Sequence, residues 1–159
     1  MRGDQRVIEY LNKALRHELA AVNQYWVHYR ILDNWGYKEF AKTWREESIE
    51  EMRHADKLVA RILFLDGQPN MQSLDPLRIG RGVKEILECD LAAEMDARAL
   101  YLEAAQYCES VNDRVSKNIF EELTADEEKH IDFLEAQLTL IEHLGLPLYA
   151  QKHVGGLEG

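Results

Sequence analysis

The chain has 159 residues, with 29 acidic against 19 basic side chains and a formal charge of −10. That length without a Pro/Gly/Ser-rich linker fits one domain, residues 1–159, large enough to bury a substantial core. The acidic balance argues against nucleic acid or an anionic membrane as partner, and suits attraction of cations or plain solubility. The opening MRGDQRVIEY lacks an apolar signal region, and no stretch approaches the ~20 apolar residues of a membrane span, so a cytoplasmic protein is expected. Cys89 and Cys108 fall several turns apart in one predicted helix, too distant to pair, and two reduced thiols suit the same compartment.

Four long helical patterns follow in chain order. Leu11, Leu15, Glu18, Val22, Tyr25 and Tyr29 step by three and four along one helix face, with Asp4 placed to cap the start. Asn34 to Gly36 reads as a tight turn between antiparallel neighbours. The second helix carries Phe40, Trp44, Glu47, Glu51, His54, Leu58, Ile62 and Leu65, and ends where DGQP supplies stop signals. From Gly67 to about Gly82 the chain is too polar and too broken by Pro69, Pro76, Gly80 and Gly82 for a helix, and long enough to cross the length of a bundle. The third helix, with Val83, Leu87, Asp90, Glu94, Ala97, Tyr101 and Ala105, yields near SVND to the fourth, with Phe120, Leu123, Glu127, His130, Leu134, Leu138 and Ile141. Gly145 and Pro147 stop the fourth, leaving PLYAQKHVGGLEG for a short fifth helix and a frayed tail. The pattern is all-α.

An internal repeat gives these helices chemical meaning. Glu18 precedes Glu51 by the spacing that separates Glu94 from Glu127, and each later glutamate is followed three residues on by a histidine, His54 and His130. EEMRHADKL (50–58) aligns with DEEKHIDFL (126–134), and Tyr25 falls opposite Tyr101. Residues i and i+3 share a helix face, so four carboxylates and two imidazoles point inward. Burying them unpaired costs on the order of several kcal/mol each, or forces protons onto them. Two divalent ions would neutralise four carboxylates, and oxygen and nitrogen donors without thiolate suit iron or manganese better than structural zinc. One Glu on each of two helices with Glu-x-x-His on each of the other two resembles the ligand set of ferritin-like di-iron bundles, four helices joined by one long crossover.

Other polar and aromatic positions admit two readings. Glu47 and Asp90 either hold the histidine rings from behind or line a solvated bundle end. Tyr25 and Tyr101 either pack as ordinary core aromatics or, Tyr25 above all, give an electron to a nearby redox metal. Met52, one residue from Glu51, points about 100° away from the bundle axis, where a packing or interface methionine is ordinary.

The sequence resembles the bacterioferritins over nearly its whole length, through MRGDQRVIEYLNKAL, NQYWVHYRILDNWGY, REESIEEMRHADKLVARILFLDG and SKNIFEELTADEEKHIDFLEAQL. The resemblance implies iron storage in a self-assembled cage of 24 subunits built from two-fold dimers, with ferroxidase activity inside each subunit. It implies Glu18 and Glu94 as terminal ligands, Glu51 and Glu127 as bridges, and His54 and His130 completing the two coordination shells. It further implies haem b at each two-fold axis, held by Met52 from both subunits and walled by Leu19, Asn23, Trp26, Ile49 and Ala55, and a ferredoxin-like donor for iron release. Some relatives bind an extra iron on the inner surface through a histidine at the first of two positions. Here those positions are Glu46 and Glu50, so only oxygen ligands are on offer. The rival reading, a rubrerythrin-like oxidase or peroxidase, usually adds a Cys-x-x-Cys iron module, and this chain has none.

Overall fold

The computed structural model describes residues 1–155. Five helices follow in order: α1 Gln5–Asn34, α2 Lys38–Phe64, α3 Val83–Ser110, α4 Arg114–Leu144 and α5 Leu146–Gln151. This is a ferritin-like four-helix bundle with a short C-terminal helix, as the sequence pattern predicts. The most extensive packing is α1 on α2 and α3 on α4, the two hairpins of the internal repeat. Among the described residues no helix is long and apolar enough to cross a membrane.

Local chemistry fixes the helix ends. Asp4 Oδ1 accepts from the backbone N–H groups of Arg6 and Val7 at 2.9 and 3.1 Å, satisfying two donors that the first turn of α1 leaves free. Gly36 adopts φ 95° in the α1–α2 turn, a conformation open to glycine without strain. Asp113 caps α4 through the Ser116 N–H and also pairs with Arg61 at 2.8 Å, tying the end of α2 to the start of α4.

The crossover between α2 and α3 runs back along α1. Asn12 binds it at Gln68 and Asn70, Arg16 pairs with Asp75 at 2.9 Å, and the Gly80 N–H donates to His28 Nε2 at 2.9 Å. A Cβ on Gly80 would lie 2.5 Å from the Ile86 backbone nitrogen, so only glycine lets the strap reach α3 this closely. Cys89 and Cys108 are both unpaired, and burial pushes the Cys108 thiol up to about 12.

Two apolar clusters fill the bundle. One holds Leu11, Leu15, Leu58, Ile62, Phe120 and Leu123; the other holds Leu32, Phe40, Trp44, Ile86, Leu87 and Leu134. Each fully buried leucine or isoleucine contributes ~1.5–3 kcal/mol, enough in aggregate to hold a polar layer between the clusters against its desolvation cost. That layer contains Glu18, Glu51, His54, Glu94 and Glu127, all at most 1% exposed.

Candidate metal centre

Each of the four long helices contributes to the polar layer. Beside a smaller group of Glu50, His54 and Asp126, two four-residue groups of potential ligand atoms form, each with all its atoms within 4.8 Å of one another: Glu18, Glu51, His54 and Glu127, and Glu51, Glu94, Glu127 and His130. Glu51 and Glu127 belong to both groups, as a pair of bridging carboxylates would. His54 Nδ1 faces Glu18 at 3.5 Å and Glu51 at 3.7 Å; His130 Nδ1 faces Glu51, Glu94 and Glu127 at 3.4, 3.5 and 3.8 Å.

These separations exceed ordinary hydrogen bonds and suit atoms facing a common ion. Glu18 Oε2, both oxygens of Glu51, Glu94 Oε2, both oxygens of Glu127, and the Nδ1 atoms of His54 and His130 are all buried without a hydrogen-bond partner. Leaving one such group unsatisfied costs ~1–3 kcal/mol, and more when it is charged. The orphaned atoms are the carboxylate and imidazole donors that divalent iron accepts, so the residues present fit a two-metal centre.

Protons supply the balancing charge when metal is absent. Burial and the neighbouring Glu18 hold the Glu51 carboxyl well above the usual range, while Glu18, despite its own burial, falls to about 2 through Glu51 and His54. Burial opposes charge on His130, but contacts with Glu47 and Glu94 outweigh it and raise the imidazole to about 10. His54 is raised in the same way against its burial, by Glu18 and Asp126.

The remaining oxygens of the terminal carboxylates are held by tyrosines. Tyr25 donates to Glu94 Oε1 at 2.6 Å, and Tyr101 donates to Glu18 Oε1. Behind the histidines, Asp126 accepts from His54 Nε2 at 2.9 Å, and Glu47 Oε2 lies 2.8 Å from His130 Nε2. Asp126 is absent from the sequence reading. Lying beside a core position, it reads in sequence as solvated surface.

Asp90 departs from expectation. Rather than backing a histidine of the centre, it is fully buried in a separate network, accepting from Gln24 Nε2 at 2.8 Å and Trp44 Nε1 at 2.7 Å and lying 3.0 Å from His28 Nδ1. His28 accepts the Gly80 N–H through Nε2, so its proton sits on Nδ1, facing Asp90. Asp90 therefore anchors the crossover. His17, Gln24 and His28, buried on α1, also escaped the sequence reading.

On the outer face of α1 and α2, Met52 is 44% and Trp26 41% exposed, Asn23 is exposed, and Leu19 and Ile49 are half-buried. Ala55 differs from the expected role. It is fully buried in the core because, at about 100° per residue, it lies only about 40° from Glu51 and its methyl packs inward. Glu46 and Glu50 line a cavity of about 610 Å³ between α2 and α4, together with Glu47, Asp126, His130 and Tyr25.

Fold and site together define a ferritin-like protein, and residues 8–144 match the family model for the ferritin-like domain. Bacterioferritin from Rhodobacter capsulatus is 63% identical over 145 residues, covering 91% of this chain and 90% of that protein. Bacterioferritin from Brucella melitensis is 59% identical over 151 residues, covering 95% and 94%. A solved structure of Rhodobacter capsulatus bacterioferritin, with a metal-free dinuclear site and heme iron in a crystallographic special position, superposes with a TM-score of 0.98, at 58% identity over 100% of this chain and 99% of that one. The chain belongs to the bacterioferritin family, a family of iron storage.

Proposed function

We propose that this chain is a ferroxidase subunit, a single ferritin-like domain that oxidises Fe(II) at Glu18, Glu51, His54, Glu94, Glu127 and His130 and passes the product to storage. The observation that carries this reading is the set of buried, unpartnered ligand atoms shared by two overlapping groups. Two Fe(II) ions are the substrate. They give up two electrons, which matches the two-electron reduction of dioxygen, with two protons, to hydrogen peroxide. The carboxylates hold the ions side by side, and Glu51 and Glu127 keep contact with both. The tyrosine hydrogen bonds fix the outer oxygens of Glu18 and Glu94, so the terminal carboxylates keep their orientation as iron arrives. The ~610 Å³ cavity, with Glu46 and Glu50 along its wall, offers oxygen ligands for iron on its way to or from the centre.

The family reading extends to a cytoplasmic cage of 24 copies that stores the oxidised iron. Met52 suits haem b: its thioether is exposed on a face apart from the carboxylates, and a group shared across a two-fold axis would take one Met52 from each copy. The relative's heme iron occupies a crystallographic special position, which supports such sharing. Leu19, Asn23, Trp26 and Ile49 would border that group, which would supply an electron path for reductive release fed by a ferredoxin-like donor. Native mass measurement with iron and haem counts tests the whole reading. Twenty-four chains with one haem per two chains is expected; a haem-free monomer or dimer that takes up no iron would overturn it.

A further inference from the structure

The internal repeat that builds the centre breaks down directly behind its histidines. Glu18, Glu51 and His54 have repeat counterparts in Glu94, Glu127 and His130. Glu47 has none, because its counterpart is Leu123, which packs in the apolar core. Asp126 does have a counterpart, Glu50, but Glu50 lies 3.7 Å from His54 on its own helix rather than beside His130. His54 therefore has two carboxylates near Nε2, Asp126 at 2.9 Å and Glu50 at 3.7 Å, whereas His130 has Glu47 at 2.8 Å. The support is also exchanged between helices: α4 holds the histidine of α2, and α2 holds the histidine of α4.

We propose that Asp126 and Glu47 are positioning residues that fix His54 and His130 through Nε2, and that their unequal arrangement makes the two metal positions inequivalent. A carboxylate on Nε2 keeps the proton there, leaves the Nδ1 lone pair facing the centre, and raises its basicity. Both imidazoles present Nδ1 to the carboxylate cage, as this arrangement requires. His54 is 1% exposed and hydrogen-bonded through Nε2 to Asp126, while His130 is 12% exposed and lines the cavity, and Glu47 Oε2, 2.8 Å from its Nε2, makes no aligned hydrogen bond. The Glu18–His54 position is therefore the tighter, and the Glu94–His130 position the more readily exchanged.

The inference rests on the two-metal reading of the centre. Titrating the chelator-stripped cage with Co(II) alone, followed by its visible absorption, tests both. Wild type should take two Co(II) per chain in two resolvable steps with distinct bands. Glu47→Ala should weaken the looser step about 10- to 100-fold and alter only its band, and Glu47→Gln, which keeps a neutral acceptor, should weaken it less. Asp126→Ala should weaken the tighter step instead, and Glu50→Gln should leave the looser step unchanged. Two ions bound in wild type with a single indistinguishable step, or variants that shift both steps equally or neither, would overturn the positioning inference and leave the site reading standing. Failure of wild type to bind two ions would overturn the site reading, and this inference with it.

Discussion

The Tyr25 hydroxyl on α1 donates to Glu94 Oε1 on α3 at 2.6 Å, and Tyr101 repeats the contact with Glu18 in the other half of the bundle. Each terminal carboxylate is thus tethered across the bundle by a phenol, and each phenol has a ready proton acceptor. Tyr25, which also lines the cavity, would give up an electron while its proton passes to Glu94. Tyr25→Phe should abolish a tyrosyl radical seen by paramagnetic resonance after dioxygen is added to the Fe(II)-loaded protein, and Tyr101→Phe should retain it. The lost hydrogen bond should also destabilise the metal-free protein by about 1–3 kcal/mol, read from denaturant unfolding.

Glu51→Gln separates metal binding from folding. Burial and Glu18 push the Glu51 carboxyl toward its neutral form, so an amide of the same shape should leave the metal-free melting temperature unchanged or higher. The same change removes a ligand common to both groups, so initial Fe(II) oxidation should fall by more than the ~10- to 100-fold typical of an outer partner. Stopped-flow absorbance checks the second point and calorimetry the first. Oxidation at the wild-type rate would contradict the bridging assignment.

The metal-free protein should lose stability as pH rises from neutral. His130 goes from 6.5 unfolded to about 10 folded, so its contribution is complete below pH 6.5 and disappears as pH rises through about 10. The raised values of His54 and Glu51 act with the same sign, whereas Glu18, lowered to about 2, acts oppositely only between pH 4.5 and 2. Metal binding must displace the protons on these groups, so affinity should rise with pH over the range in which metal-free stability falls. Melting curves and metal titrations from pH 6 to 10 compare the two trends.

How much of this was legible in sequence follows from what periodicity can see. Glu18, Glu51, His54, Glu94, Glu127 and His130 stood out because charged residues occupied apolar positions twice at one spacing. The helix ends were readable from Asp4, Gly36 and Gly145. Asp126 was not, because a residue beside a core position reads as solvated surface, and only the approach of α4 to α2 gives it His54 as partner. Asp90 was seen as polar on a core face, but its partners come from α1, α2 and the crossover, which no single helix pattern brings together. His17, Gln24 and His28 lie on one stripe of α1 through Ala21, a signal hidden by the stronger stripe through Glu18.

Asp90→Ala tests that separate network. It leaves Gln24, Trp44 and His28 without their shared acceptor and should cost about 3–5 kcal/mol, the scale of a broken buried charge network. Metal stoichiometry per folded chain should be unchanged, since none of these residues belongs to the ligand groups. Loss of metal binding from fully folded Asp90→Ala would return Asp90 to the centre.

Met52→Leu should preserve side-chain volume and keep the two-fold contact while removing both thioethers from a shared haem. Haem content should fall to near zero with the cage and initial Fe(II) oxidation intact, and reductive iron release should slow. An unchanged bis-thioether absorption spectrum in Met52→Leu would exclude the ligand assignment.

The central claim is that two metal ions sit between the helices and share Glu51 and Glu127. Anomalous diffraction at the iron edge from crystals soaked anaerobically in Fe(II) tests it most directly. The account predicts two peaks within each subunit, one bounded by Glu18, Glu51, His54 and Glu127 and the other by Glu51, Glu94, Glu127 and His130. A polar layer with no peak, or iron bound only outside it, would contradict the account.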